Sequence, residues 1–196
     1  MKRVTAFAVF VLIAGVTTAP AWSQARLGLR GAGLELDVVG PENVDATFGI
    51  GAFADLGTIT RNVRLEAYMD FWSKSEEAFG FKASANDLSL GARSKYMFRI
   101  PNPRLLPFAG GGIGVHFIQA DVIVPEQNLG GSTVPGFVLE DSATKIGLDF
   151  GGGLLYNLNG RASLSTEVWY SLVDQINQLS LEVGFLWHFA LKPVSN

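Results

Sequence analysis

The sequence predicts an all-β protein: an eight-stranded antiparallel up-and-down transmembrane β-barrel, preceded by a cleaved signal peptide. Three observations predict it. The segment Asn177 to Leu191 places Leu179, Leu181, Val183, Phe185, Trp187, Phe189 and Leu191 on one parity. Gln178, Ser180, Glu182, Gly184, His188 and Ala190 take the other, with Leu186 as the single apolar exception. Side chains alternate faces along a strand, so this one is greasy on one side and polar on the other. It exceeds the ~9–11 residues that a tilted strand needs to cross a bilayer. The second observation is the N-terminus. Met1-Lys2-Arg3 is basic, Val4 to Val16 is apolar and uncharged, and Ala19-Pro20-Ala21 and Ser23-Gln24-Ala25 are small-residue cleavage patterns. That is the order of a secretory leader, and its apolar run is shorter than the ~20 residues of a spanning helix. The third is that seven further segments alternate in the same way and leave no room for helices.

The first strand runs roughly Leu27 to Val39 and changes parity at Gly31-Ala32-Gly33, where a bulge is expected. The second, Asp45 to Leu56, sets Phe48 and Ile50 against Gly49, Gly51, Phe53 and Asp55. The third, Val63 to Trp72, sets Leu65, Met69 and Phe71 against Arg64, Glu66, Tyr68, Asp70 and Trp72. A polar loop is expected from Ser73 to Asn86. The fourth strand, Asp87 to Phe98, sets Leu88, Leu90, Tyr96 and Phe98 against Arg93 and Lys95. The fifth, Leu106 to Ala120, sets Ile113, Val115 and Phe117 against Gly110, Gly112, Gly114 and His116, and the longest loop follows from Asp121 to Ser142. The sixth, Ala143 to Tyr156, sets Ile146, Leu148, Phe150 and Leu154 against Lys145, Gly147, Asp149, Gly151 and Gly153. Asn157-Leu-Asn-Gly160 is turn chemistry. The seventh, Arg161 to Leu172, sets Leu164, Val168 and Tyr170 against Ser163, Ser165, Glu167 and Trp169. Connections after the second, fourth and sixth strands are short and those after the third and fifth are long. That is the outer-membrane arrangement, with short turns and both termini periplasmic. Tyr96, Phe98, Tyr156, Trp187 and Phe189 at the turn end, with Phe48, Phe71, Phe117 and Tyr170 toward the loop end, read as two aromatic girdles.

Orientation separates this barrel from a soluble one. In a lipocalin-type barrel the apolar face points inward to a ligand and the outer face is solvated. Here the polar face is rich in Gly and Ser, which suits a narrow lumen, and the bulky face suits lipid. Charged residues are 17% of the chain, below the ~25% of soluble domains. Lys2 and Arg3 leave with the leader, which takes the net charge from −3 down by two to −5 and argues against a nucleic-acid partner. No cysteine is present, so a disulfide framework and a Cys-ligated metal are excluded. No motif asks for a cofactor. Gly110-Gly111-Gly112 and Gly151-Gly152-Gly153 lack a following Lys-Ser/Thr and a helix, so they do not form a phosphate-cradling loop. They read instead as a flat inner wall for bulky residues such as Trp72 and Trp169.

By parity Glu35, Asp37, Asp55, Asp70, Lys145, Asp149, His116 and His188 also point inward. An eight-stranded barrel is just wide enough for side chains to fill it, and buried charges there must pair or stay hydrated. The expected arrangement is a salt-bridge plug, with Arg64, Arg93, Lys95 and Arg161 as cations and Glu66, Glu167 and Glu182 as anions. Filling and hydrating the barrel is the plainer role for these groups than transport or catalysis.

The last strand carries a family signature. Glu182-Val-Gly184-Phe-Leu-Trp187-His-Phe189 resembles the C-terminal β-signal of bacterial outer-membrane barrels: polar, any, Gly, two of any, aromatic, any, aromatic. The family usually stops at the final aromatic, whereas this chain runs on to Asn196. The mature chain as a whole resembles the small outer-membrane β-barrel family, similar to the transmembrane domain of outer membrane protein A. The resemblance implies contact with outer-membrane lipid and recognition by the barrel-assembly machinery; a monomer is the expected state. The expected division is a signal peptide over 1–25, a barrel over 26–191 and a short tail over 192–196. A structural or surface-interaction protein is the first reading, a narrow passive channel the second and a lipid A or phospholipid-modifying enzyme the third. The lipid A deacylases resemble a Ser-His-Glu arrangement on the outer face of the strands, whereas both histidines here point inward. The expectation is therefore no enzyme and no catalytic residue.

Overall fold

The computed structural model describes residues 25–189 apart from 43, 79–80, 126, 130–131 and 175. The expected leader up to residue 24 and the tail over 192–196 lie outside the described residues. The described residues form ten strands: β1 (Arg26–Pro41), β2 (Thr47–Thr58), β3 (Val63–Ala78), β4 (Phe81–Met97), β5 (Leu105–Val124), β6 (Gln127–Leu129), β7 (Ser132–Val134), β8 (Phe137–Asn159), β9 (Ala162–Val173) and β10 (Gln178–His188). Eight of them close a barrel in the order β1-β10-β9-β8-β5-β4-β3-β2, and β6 and β7 form a separate small hairpin. Each barrel strand pairs antiparallel with the next one in the ring, and β1 closes on β10 from Gly31↔His188 to Pro41↔Gln178. No edge is left within the ring, which is what a lipid-embedded sheet requires.

The parity reading holds strand by strand. Phe185 and Trp187 are 42% and 49% exposed on the outer surface, while Glu182 between neighbouring outward residues is 1% exposed. Leu34, Phe48, Ile50, Met69, Ile113, Ile146 and Val168 also face out. An apolar belt of this extent would be unstable in water and is the surface hydrocarbon demands. All nine expected girdle aromatics are exposed on this belt. Leu186 points inward and packs with Phe53 and Tyr68 in a small buried apolar cluster.

Three boundaries differ from the sequence reading. The bulge lies between Leu27 and Gly31, where four steps of β1 span what two steps of β2 cover, rather than at Gly31-Ala32-Gly33. Gly28 supplies the left-handed φ of +142° that the irregularity needs. The expected loops Ser73–Asn86 and Asp121–Ser142 are mostly strand: β3 and β4 pair from Val63↔Tyr96 out to Ala78↔Phe81, and β5 and β8 out to Val124↔Phe137. Above the bilayer both faces of a strand meet water, so alternation lapses while backbone pairing continues. Finally, β2 pairs with β3 only up to Trp72, and β9 with β8 only down to Gly147. The four strands β3-β4-β5-β8 therefore project as a sheet beyond the rest of the ring.

Candidate functional site

The lumen is the candidate site. Its two buried cations, Arg93 and Lys95, both come from β4, and each stands opposite a glycine of β5: Arg93 beside Gly112 and Lys95 beside Gly110. With no side chain on the β5 side, both extend into the lumen. Arg93 reaches Glu182 on β10, four places round the ring, and holds it with both ends of the guanidinium, Nη1–Oε2 at 3.0 Å and Nη2–Oε1 at 3.2 Å. Asp70 lies 3.5 Å and Asp149 3.9 Å from the same guanidinium. Its flat faces are covered by Tyr68 at 3.9 Å and Trp169 at 4.4 Å. A planar, weakly hydrated cation suits this sandwich, and a lysine would not fill it.

Lys95 forms the second layer, with Nζ 2.6 Å from Glu66 and 2.8 Å from Glu167. The Trp169 indole N–H donates to Glu167 at 2.8 Å, the Tyr68 hydroxyl to Asp149 at 2.6 Å and Ser171 to Asp149 at 2.7 Å. These bonds matter because burying an ion costs several kcal/mol, which a partner offsets only when the remaining polar atoms are also satisfied. Toward the loop end a third layer joins Trp72 to Gln178 at 2.8 Å, Gln178 to Asp87 at 2.6 Å and Asp87 to His116 at 2.7 Å. A void of about 20 Å³ lies between the Arg93 layer and the third layer, and one of about 10 Å³ lies on the short-turn side of Lys95. That is the scale of one water molecule.

Glu66, Arg93, Lys95, Glu167 and Glu182 lie together in the lumen. Arg64 stands apart, at the short-turn mouth, with Asp55 3.7 Å away. Arg161 is a correction: it is exposed, in the two-residue turn before β9 begins at Ala162, so its parity is right but it lies past the end of the lumen. The sequence reading did not single out Tyr68, Trp169 and Gln178 as members of the charge network. The first two had a usable signal, since both have inward parity and face a glycine on the next strand, Tyr68↔Gly91 and Gly151↔Trp169. The glycine wall does receive Trp169, which lies against Gly110 and Gly151; Tyr68 lies against Gly91 and Gly114. Trp72 stands nearer the loop end. His188 is half-buried, and its Nε2 lies 2.8 Å from Ser163 Oγ, which also donates to Asn157 at 2.8 Å. In the β-signal segment, Glu182 and Gly184 face inward, and Trp187 and Phe189 face outward.

A closed eight-stranded ring with an apolar belt, two girdles and a charged interior defines the class of small outer-membrane β-barrels. The chain belongs to the outer membrane protein beta-barrel domain family, whose model matches residues 6–189. The protein is therefore an outer-membrane protein in contact with lipid. No curated protein matches the sequence. Among solved structures, Neisserial surface protein A is similar at 17% identity and a TM-score of 0.58, over 81% of this chain and 96% of its own. A major outer membrane protein from Thermus thermophilus is similar at 11% identity and 0.55, over 83% and 100%. The attachment invasion locus protein Ail of Yersinia pestis, in complex with the heparin analogue sucrose octasulfate, is similar at 13% identity and 0.53, over 84% and 100%. At these identities the likeness concerns the fold.

Proposed function

We propose that this protein is a closed barrel of structural and surface-interaction type, which anchors in the outer membrane and displays the projecting β3-β4-β5-β8 sheet at the cell surface. The observation that carries the reading is the pair of ion layers across the lumen, Arg93 with Glu182 and Lys95 with Glu66 and Glu167, and the voids of about 20 and 10 Å³ beside them support a closed interior. The projecting sheet supports the contact role, since β8 beyond Gly147 and β3 beyond Trp72 have backbone edges outside the ring's pairing. The short turns and both termini face the periplasm. The chain works as a monomer, and the barrel-assembly machinery reads Glu182, Gly184, Trp187 and Phe189. It is not an enzyme: His116 is buried against Asp87, and Ser163 beside His188 is fully buried and shared with Asn157.

The test is electrical. In a planar bilayer the native protein should stay closed, while a protein carrying Arg93→Ala and Glu167→Ala should conduct ions. Closure unchanged by the double substitution counts against a plug held by these residues. Conductance or liposome swelling with the native protein favours the narrow channel instead, and turnover in a lipid A deacylation assay favours the enzyme.

A further inference from the structure

The lumen below the plug opens at the short-turn end into a cavity of about 670 Å³. Arg26, Arg30, Arg64 and Arg104 line it together with His188, and among the described residues Asp55 is the one acid in its wall. The plugged lumen has the opposite balance. Among the described residues it buries Glu35, Asp37, Glu66, Asp87, Asp149, Glu167 and Glu182 against Arg93 and Lys95 alone. An acidic chain thus gathers arginines at one mouth. Among the described residues, Arg64 is the one of the four with a carboxylate partner, and that contact is loose at 3.7 Å.

Irregularities in β1 and β2 at this mouth assemble the cup. From Gly31 to Val39 the odd-numbered residues of β1 face the lumen. Unbroken alternation would carry Leu27 and Leu29 into the mouth and turn Arg26 and Arg30 out toward lipid. The irregularity of β1 between Leu27 and Gly31, together with a second one in β2 between Asp55 and Thr58, exchanges the two sets: both leucines are exposed on the outside, and both arginines line the cavity. A bulge at a barrel rim commonly serves to re-aim side chains. Arg30 donates to the Arg26 backbone carbonyl at 3.3 Å, which holds its guanidinium close to the bulge.

We infer that this cup is a binding site for a phosphate-bearing anion. Guanidinium groups present paired N–H donors that match phosphate oxygens, and several converging arginines select phosphate over a single carboxylate. Leu158 and Phe189 in the same wall place the cup at the edge of the apolar belt, so the phosphate can arrive on a lipid headgroup or on a soluble compound. This inference requires only the barrel and its orientation in the membrane, and stands whether or not the lumen conducts.

Calorimetric titration of the folded protein in an uncharged detergent tests it. One arm uses pyrophosphate and the other short-chain phosphatidylglycerol, with short-chain phosphatidylcholine as the reference lipid. The native protein should bind at least one probe, and Arg26→Gln with Arg30→Gln should weaken that binding about tenfold. Both positions are on the rim, and a heat-dependent shift in gel mobility verifies that the variant still folds. Asp55→Asn, which removes the one acid, should tighten binding. Binding of pyrophosphate identifies a soluble source, and binding of phosphatidylglycerol alone identifies a lipid. Binding of neither probe, or equal affinity of the native and doubly substituted proteins, overturns the assignment.

Discussion

Arg93→Met should destabilise the folded barrel by about 3–5 kcal/mol, measured from urea-dependent unfolding in detergent, and by clearly more than Glu182→Gln. Methionine roughly fills the space but supplies no charge. Glu182, Asp70 and Asp149 would then share a buried compartment with no cation within reach except Lys95, which already serves Glu66 and Glu167. Removing one partner of a buried ion pair costs more than the pair contributes, because the survivor stays desolvated. Glu182→Gln leaves a different survivor. Arg93 keeps Asp70 at 3.5 Å and Asp149 at 3.9 Å, with Tyr68 and Trp169 on its faces. The asymmetry follows from the interior composition, seven buried carboxylates besides Asp55 at the mouth against two buried cations among the described residues: a cation is the scarce group and an acid the abundant one. Combining the two substitutions should recover part of the loss, since the carboxylate stranded nearest to Arg93 is then neutral. Equal costs for the two single substitutions would contradict this charge balance.

Orientation and strand count were legible in the sequence because the bilayer imposes the same requirement on every strand. Each outward position must be apolar over the whole crossing, so Leu179 through Trp187 or Ile146 through Leu154 announce their face without knowledge of any neighbour. Inward positions carry no such uniform demand. Their identity depends on what stands across the lumen, which register and curvature decide. Glu66, Arg93, Lys95, Glu167 and Glu182 were recognised as inward charges, but the choice of Glu182 for Arg93 and of Glu66 with Glu167 for Lys95 depends on the closure of β1 on β10. Arg161 has the right parity and the wrong height, and alternation alone contains no height. The extensions of β3, β4, β5 and β8 were hidden for a related reason. Ser73 to Glu77 is polar at every position, and a strand wet on both faces looks like a loop until its pairing partner is known. The bulge was legible as a change of parity, since Leu27 and Leu29 disagree with Leu34 and Leu36. Its position was not, because several nearby glycines could have hosted it.

Gly112→Leu and Gly151→Leu should largely abolish refolding into detergent micelles, while Gly111→Leu should refold with a stability within about 1 kcal/mol of the native protein. The three positions have the same residue type and lie within the same two strands, so composition and propensity do not separate them. A side chain at Gly112 would start 2.6 Å from the Ala92 carbonyl oxygen and 2.9 Å from Arg93 Cγ, against the stem of the cation that spans the lumen. At Gly151 it would collide with the Val168 carbonyl and stand 2.5 Å from the Trp169 ring. That indole cannot yield locally. It covers one face of Arg93, donates to Glu167 and lies against Gly110, so displacing it opens both ion layers together. The cost therefore exceeds the ~1–3 kcal/mol of an ordinary overpacked core, because strain is joined by the loss of charge compensation. Gly111 has the opposite parity. Its nearest obstacle is the Asp149 carbonyl at 3.3 Å, a small backbone adjustment removes it, and leucine then extends into lipid as its outward neighbours do. Folding yield and unfolding midpoint, followed by heat-dependent gel mobility, measure all three. Equal impairment at Gly111 and Gly112 would mean that backbone crowding between the strands, rather than the crowded lumen, fixes these glycines.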